Sequence, residues 1–136
     1  MKTGRYIKFV VVIAFILSIA GCANKSDQLV KTWMVQNLKY SRVIPPDMQP
    51  QIDRAVEEIR QTFRLTYRAD GTYETKNGQE VLTGTWKLNF NSTKITSYSA
   101  KGDEKSYDII ELSADKFNFK AIEGGEEVIF EMIPAK

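Results

Sequence analysis

The sequence predicts a mainly β fold: an eight-stranded antiparallel up-and-down barrel with one amphipathic helix between its first two strands. Apolar and polar residues alternate with a period of two from Leu29 onward, as in strands that bury one face. Turn-forming residues interrupt the alternation at short intervals, and only the segment 45–61 has a helical period. Closure into a barrel removes exposed sheet edges. A two-sheet sandwich is the alternative, but the short turns favour the barrel.

Residues 1–21 are typical of a bacterial lipoprotein signal peptide. Three basic residues precede an uncharged apolar run at 9–20, which is shorter than the roughly twenty residues that a membrane-spanning helix needs. Ile19-Ala20-Gly21-Cys22 then fits the lipobox, in which the cysteine thiol receives the lipid. We therefore expect Cys22 to be the lipid attachment site, followed by an acylated tether at 22–28 that anchors the protein in the membrane. A plain membrane anchor with an incidental cysteine is the alternative.

The globular domain is predicted to span 29–136 and to begin with a strand at 29–40. Alternating apolar residues indicate a second strand at 63–67. Asp70-Gly71 is a tight-turn pair, and a third strand at 72–75 continues as its hairpin partner.

Five further strands follow, each separated from the next by turn residues such as Asn91-Ser92 or Gly124-Gly125. In one of them the apolar residues change parity between Ile109 and Ile110, which indicates a β-bulge or a strand covered on both faces. These five strands are predicted around 82–88, 94–99, 106–112, 117–121 and 128–132.

The segment 45–61 is predicted to form the helix. Its apolar residues recur at helical spacing and make a single stripe, which is expected to face the open end of the barrel. Asp47 is a candidate N-cap, and Pro50 is tolerable in a first turn whose amide has no partner. The stripe consists of Ile52, Ala55, Val56 and Ile59.

Three stretches of the chain resemble the lipocalin-like domains that are common in lipoproteins of the Bacteroidetes. They are residues 63–73, which end in Asp-Gly-Thr-Tyr, residues 84–88, which begin Gly-Thr-Trp, and residues 107–113. The resemblance covers nearly all of Leu29 to Ile133 and implies a small antiparallel barrel, often without an assigned ligand.

The charge near the cysteine bears on the location of the anchor. Bacteroidetes lipoproteins of the cell surface often carry acidic residues directly after the cysteine, whereas this chain has only Asp27 there, close to Lys25. The sequence therefore favours an outer-membrane anchor on the periplasmic side over the cell surface.

Composition argues against several classes of chemistry. The chain has no histidine and one cysteine, which excludes imidazole-based triads and histidine or thiolate metal sites once Cys22 is acylated. We expect no enzyme activity, no metal and no cofactor. Removal of Lys2, Arg5 and Lys8 with the signal peptide leaves 16 basic and 17 acidic side chains, so nucleic-acid binding is not expected.

Aromatic residues at inward positions suggest a function. Inside a small barrel they line a pocket for a small apolar ligand, with tyrosine hydroxyls to orient it. The alternative is an ordinary packed core, which would make the protein a structural or interaction protein that docks on another envelope protein. The candidate ligand-binding residues are Trp33, Phe63, Tyr67, Tyr73, Trp86, Phe119 and Phe130.

Overall fold

Eight strands form a closed antiparallel barrel in which each strand pairs with its neighbours in sequence and the last strand pairs with the first. The computed structural model describes residues 24–136, so the predicted signal peptide and Cys22 lie outside the described residues. The predicted up-and-down barrel is confirmed, and the sandwich alternative is wrong. The elements are α1 (Lys25–Leu29), β1 (Thr32–Tyr40), α2 (Gln49–Thr62), β2 (Phe63–Tyr67), β3 (Thr72–Asn77), β4 (Glu80–Leu88), β5 (Lys94–Ser99), β6 (Glu104–Leu112), β7 (Phe117–Glu123) and β8 (Glu126–Pro134).

Tight turns produce the up-and-down order. Gly124 and Gly125 have φ angles of 60° and 80° and form the two-residue turn between β7 and β8. Positive φ at both positions gives a turn whose twist matches that of the flanking antiparallel strands. Before β3, the Asp70 carboxylate accepts hydrogen bonds from the amide and the hydroxyl of Thr72, at 3.0 and 2.7 Å. Such short connections leave consecutive strands no geometry except direct pairing.

The two ends of the barrel carry different elements, because the strands alternate in direction. The end that carries α2 and the turn between β7 and β8 is called the open end. The other end, which carries α1, is called the closed end. The turns at the open end are 78–79, 100–103 and 124–125, and those at the closed end are 68–71, 89–93 and 113–116.

Helix α1 plugs the closed end. Leu29, its last residue, is fully buried, and its carbonyl accepts a hydrogen bond of 3.0 Å from the indole nitrogen of Trp33. Lys25 donates to the Leu112 carbonyl at 2.9 Å, and the Asn24 side chain caps the helix. The prediction that β1 begins at Leu29 was therefore wrong, because Leu29 packs as the end of a helix. Residues 24–28 of the predicted tether are likewise folded against the barrel.

Helix α2 lies between β1 and β2 as predicted, but it begins at Gln49 and not at Pro45. Two consecutive prolines explain the later start, since Pro46 disfavours helical geometry at Pro45. Met48 occupies the N-cap position and makes no side-chain cap, so the predicted capping role of Asp47 is wrong. Within residues 24–136, neither helix is long and apolar enough to cross a membrane.

The apolar stripe of α2 packs on the barrel wall where β1 and β2 separate. These two strands pair only from Thr32 to Met34, whereas β1 pairs with β8 as far as Tyr40. Helix α2 contacts β1 and β3 and covers this gap. Val56 is buried and Ile59 is half-buried against the core, whereas Ala55 is exposed.

Two register shifts bend the wall. One lies in β1 between Val35 and Asn37, and the other lies in β6 between Ile109 and Glu111. The second confirms the predicted bulge. It turns Ile110 outward, where it is 54% exposed, and returns Leu112 to the core.

Gly84 is required by the packing of β4 on its neighbours. A Cβ atom at this inward position would lie 2.1 Å from the Tyr98 carbonyl oxygen and 2.7 Å from the ring of Tyr73. The first of these atoms belongs to the backbone of the paired strand β5, which cannot move without disturbing the ladder.

We predict that Gly84→Ala lowers the free energy of unfolding by about 2 kcal/mol or more, because an overpacked site forces backbone shifts. Urea denaturation followed by circular dichroism measures the change. Thr83→Ala is the matched control: it lies next to Gly84, faces outward, and should change stability by no more than about 0.5 kcal/mol. Equal stability of the two variants would contradict the packing argument.

Candidate ligand-binding cavity

The closed half of the barrel interior is filled by aromatic rings. The ring centroids of Trp33 and Phe117 are 5.5 Å apart, and those of Tyr67 and Trp86 are 5.1 Å apart. The rings meet at tilted angles, the arrangement that favours aromatic packing. With Leu29 beneath them, these side chains form a continuous floor across the barrel.

The open half of the barrel holds a cavity of about 500 Å³. This volume lies within the range of roughly 300–1,000 Å³ that small-molecule sites occupy. Its inner part is mostly apolar. The apolar side chains that line it include Leu38, Leu65, Phe119, Val128 and Phe130.

Aromatic rings make one wall of this cavity. Phe119 and Phe130 stack with centroids 4.9 Å apart and an interplanar angle of 4°. Tyr107 lies against the other side of Phe119, at 5.1 Å. The pair Phe119 and Phe130 faces across the β7–β8 ladder, where the two residues are direct partners. The wall is therefore fixed by strand register.

Five of the seven predicted ligand-binding residues line this cavity. They are Phe63, Tyr67, Tyr73, Phe119 and Phe130. Trp33 and Trp86 do not line it, because their inward side chains lie nearer the closed end and are part of the packed floor. The period of two assigns a residue to the interior, but it does not tell which end of the barrel the residue occupies.

The structure also places residues in the lining that were not predicted. Tyr107 and Lys105 alternate inward with Ile109 on β6, so the period of two was sufficient to find them. Asp103 and Glu123 lie at the open end, in a turn and at the end of a strand. Together with Ser99 they give the mouth a polar rim above the apolar interior.

Of the tyrosines that line this cavity, Tyr67, Tyr73 and Tyr107 have raised pKa values, so their phenols stay protonated at neutral pH. Burial raises the pKa of Tyr67 well above its usual range, and the neighbouring Ser97 hydroxyl opposes this shift only in part. Burial, with a contribution from the Glu123 carboxylate, raises the pKa of Tyr107 to about 12. Burial and then the charge of Asp103 raise the pKa of Tyr73. Each phenol is therefore a neutral group that donates and accepts hydrogen bonds.

Helix α2 contributes to the mouth of the cavity through Ile59, which is among the lining residues. A second pocket, of about 460 Å³, lies between α2 and β1. It is lined largely by polar side chains such as Gln49, Asp53 and Arg60, so it is a poorer match for an apolar molecule. Among residues 24–136, no three acidic side chains come close enough together to hold a metal ion.

Known proteins share this architecture. The family model for the lipocalin-like domain matches residues 29–119. The fold is similar to the crystal structure of a lipocalin-like protein from Bacteroides uniformis, with a TM-score of 0.54 and 9% identity over 79% of this chain and 99% of the other. The chain has no match among curated proteins.

Two further solved structures are similar. One is an NMR structure of a protein from Bacteroides uniformis, with a TM-score of 0.54 and 18% identity over 82% of this chain and 92% of the other. The second is the crystal structure of a DUF4847 family protein from Bacteroides vulgatus, with a TM-score of 0.57 and 14% identity over 79% of this chain and 94% of the other. At these identities the likeness concerns the fold.

We predict that stability falls as the pH rises above about 10, where the tyrosines of the unfolded chain begin to ionise. The folded chain keeps the buried Tyr67 protonated, so the stabilisation is complete below the unfolded pKa and is lost as the pH rises towards the folded value. Tyr67 alone contributes a slope of up to about 1.4 kcal/mol per pH unit.

Urea denaturation between pH 8 and pH 12 measures this slope, and Tyr67→Phe should make it shallower. Tyr98→Phe is the control, because Tyr98 faces outward and is 40% exposed. An unchanged slope in Tyr67→Phe would show that this phenol does not control the alkaline behaviour.

Proposed function

This chain belongs to the family of lipocalin-like domains, and on that premise we propose that it binds one small, mainly apolar molecule in the cavity of its barrel. The observation that supports this proposal is the division of the interior. One half is closed by packed rings and the other half holds a cavity of about 500 Å³. A protein that needed only a packed core would have no use for this space, because voids lower stability.

The lining favours a molecule whose apolar part enters first. Phe119, Phe130 and Val128 lie inside, whereas Asp103, Lys105 and other polar groups lie at the rim. A polar end of the ligand then stays at the mouth, near the phenols of Tyr73 and Tyr107, which lie close enough to the rim carboxylates Asp103 and Glu123 for those charges to raise their pKa values. The tyrosine hydroxyls orient such a molecule, and the rings supply contact area.

The affinity that such an apolar ligand gains from burial can be calculated to an order of magnitude. Transfer of each CH₂ group from water is worth about 0.8 kcal/mol, so a chain of about ten carbons gains about 8 kcal/mol. Association costs about 4 kcal/mol or more. The net gain of about 4 kcal/mol or less corresponds to a dissociation constant of about 1 mM or weaker from the apolar chain alone, so ligand concentrations up to the millimolar range have to be tested.

We predict that Thr75→Trp lowers the affinity for an apolar fluorescent probe, N-phenyl-1-naphthylamine, by about tenfold, or about 1.4 kcal/mol. Thr75 lines the cavity, so the indole would occupy the space that the probe needs. Titration of probe fluorescence measures the affinity, and circular dichroism checks the fold.

Thr83→Trp is the matched control for this variant. It introduces the same side chain on the adjacent strand β4, at an exposed outward position, and should bind the probe as the unmodified chain does. Equal affinity of both variants would place the probe outside the cavity and would argue for the alternative role as a structural or interaction protein.

The membrane anchor is the second part of the proposal. The basic start, the apolar run and the lipobox of residues 1–22 support acylation of Cys22 and attachment to the outer membrane, with the periplasmic side favoured. The binding domain would then act as a tethered carrier or receptor in the cell envelope.

We predict that Cys22→Ser abolishes incorporation of labelled palmitate and leaves the chain in its precursor form, because serine offers no thiol for the lipid. Metabolic labelling followed by gel electrophoresis measures both effects. Ser26→Ala, four residues further on, is the control and should be labelled normally. Label on the Cys22→Ser chain would disprove the assignment of this residue.

A further inference from the structure

The turn between β4 and β5 presents a phenylalanine to the exterior. Phe90 is fully exposed at the closed end. The turn that carries it is held by the Asn89 side chain, whose carbonyl oxygen accepts from the amides of Thr93 and Lys94 at 2.8 and 2.9 Å. The exposed ring is therefore set by a well-bonded turn. A single exposed apolar residue is common and by itself indicates no partner.

The charge around this ring is unlike that of the rest of the domain. The segments of the closed end, with the adjoining strand ends, carry seven basic and four acidic side chains, whereas the remainder of residues 24–136 carries nine basic and thirteen acidic ones. The closed end is thus positive and the rest of the domain is negative. The segments counted are 24–32, 66–72, 87–94, 111–117 and 133–136.

The chain also enters the domain at this end. Asn24 caps α1 beneath the barrel, and Cys22 precedes it by only two residues. Two residues span about 7 Å at most. Lipid attached at Cys22 therefore holds the closed end, rather than the mouth of the cavity, next to the bilayer.

We propose that the closed end is a membrane-docking face, in which Phe90 inserts its ring among the lipid headgroups while the surrounding lysines face anionic lipid phosphates. This inference rests on the proposed acylation of Cys22. Aromatic rings favour the membrane interface, and lysines near an anionic leaflet are attracted to it. Docked in this way, the domain points the mouth of its cavity away from the membrane that anchors it.

The orientation can be read from two single-tryptophan additions in the acylated protein. Phe90→Trp reports on the closed end, and Val43→Trp reports on the open end, where Val43 is 93% exposed. Each variant is bound to vesicles of phosphatidylethanolamine and phosphatidylglycerol with brominated acyl chains, which quench only tryptophans at the membrane. Trp33 and Trp86 are buried and supply the baseline.

We expect quenching of the Phe90→Trp emission to exceed that of Val43→Trp by roughly twofold or more, because depth in the interface decides contact with the bromines. Lys87→Gln combined with Lys116→Gln should reduce this quenching, since both lysines lie at the closed end. Lys76→Gln, at the open end of β3, is the control and should leave it unchanged.

Flotation of the vesicles distinguishes a failure of the acyl anchor from a failure of the docking face. A protein that does not float with the vesicles overturns the acyl anchor and the docking face together. A protein that floats but shows equal quenching at the two positions, or more at Val43→Trp, overturns the docking face alone. Selective quenching at Phe90→Trp supports it.

Discussion

Closure of the sheet by the pairing of β1 with β8 is the constraint on which the rest of the structure depends. This ladder runs from Trp33 with Pro134 to Tyr40 with Val128 and joins the two ends of the meander. Without it the barrel would have two free edges and no interior. Once it forms, every inward position of eight strands faces the same enclosed space, and the contents of that space follow from side-chain size.

Side-chain size divides the interior in two. Near the closed end the inward positions hold Trp33, Trp86 and Phe117, and these rings fill the cross-section. Nearer the open end, strands β3 and β5, which flank β4, contribute small inward side chains, Thr75, Ser97 and Ser99, which leave space along this side of the barrel. Gly84 adds to this pattern, because its missing side chain makes room for the Tyr73 ring. A floor and a cavity above it are the result.

The two ends of the barrel also differ in the surface features that they carry. The closed end carries the chain entry, the excess of basic side chains and Phe90, whereas the open end carries α2, the polar rim and the mouth of the cavity. In a tethered binding protein, membrane attachment and ligand exchange have to occur at separate places. A cavity mouth that lay against the membrane could not exchange ligand with the aqueous space. The acyl anchor and the ligand of the cavity are proposals, but the position of the chain entry and of the cavity mouth at opposite ends is a property of the fold.

The sequence alone determined the local structure of this protein, because strand alternation, turn residues and helical spacing act over a few neighbouring residues. It predicted the eight strands, the helix between the first two, the bulge near Ile110 and the inward position of all seven candidate residues. Tertiary structure decided what depends on distant partners. Trp33 and Trp86 belong to the floor and not to the cavity because their levels along the barrel axis are set by register, and Leu29 ends a helix because the barrel offers it a buried site. The sequence alone also did not reveal the cavity, since the cavity depends on the level of the barrel at which the small residues of β3 and β5 lie and on the side chains that lie opposite them after closure.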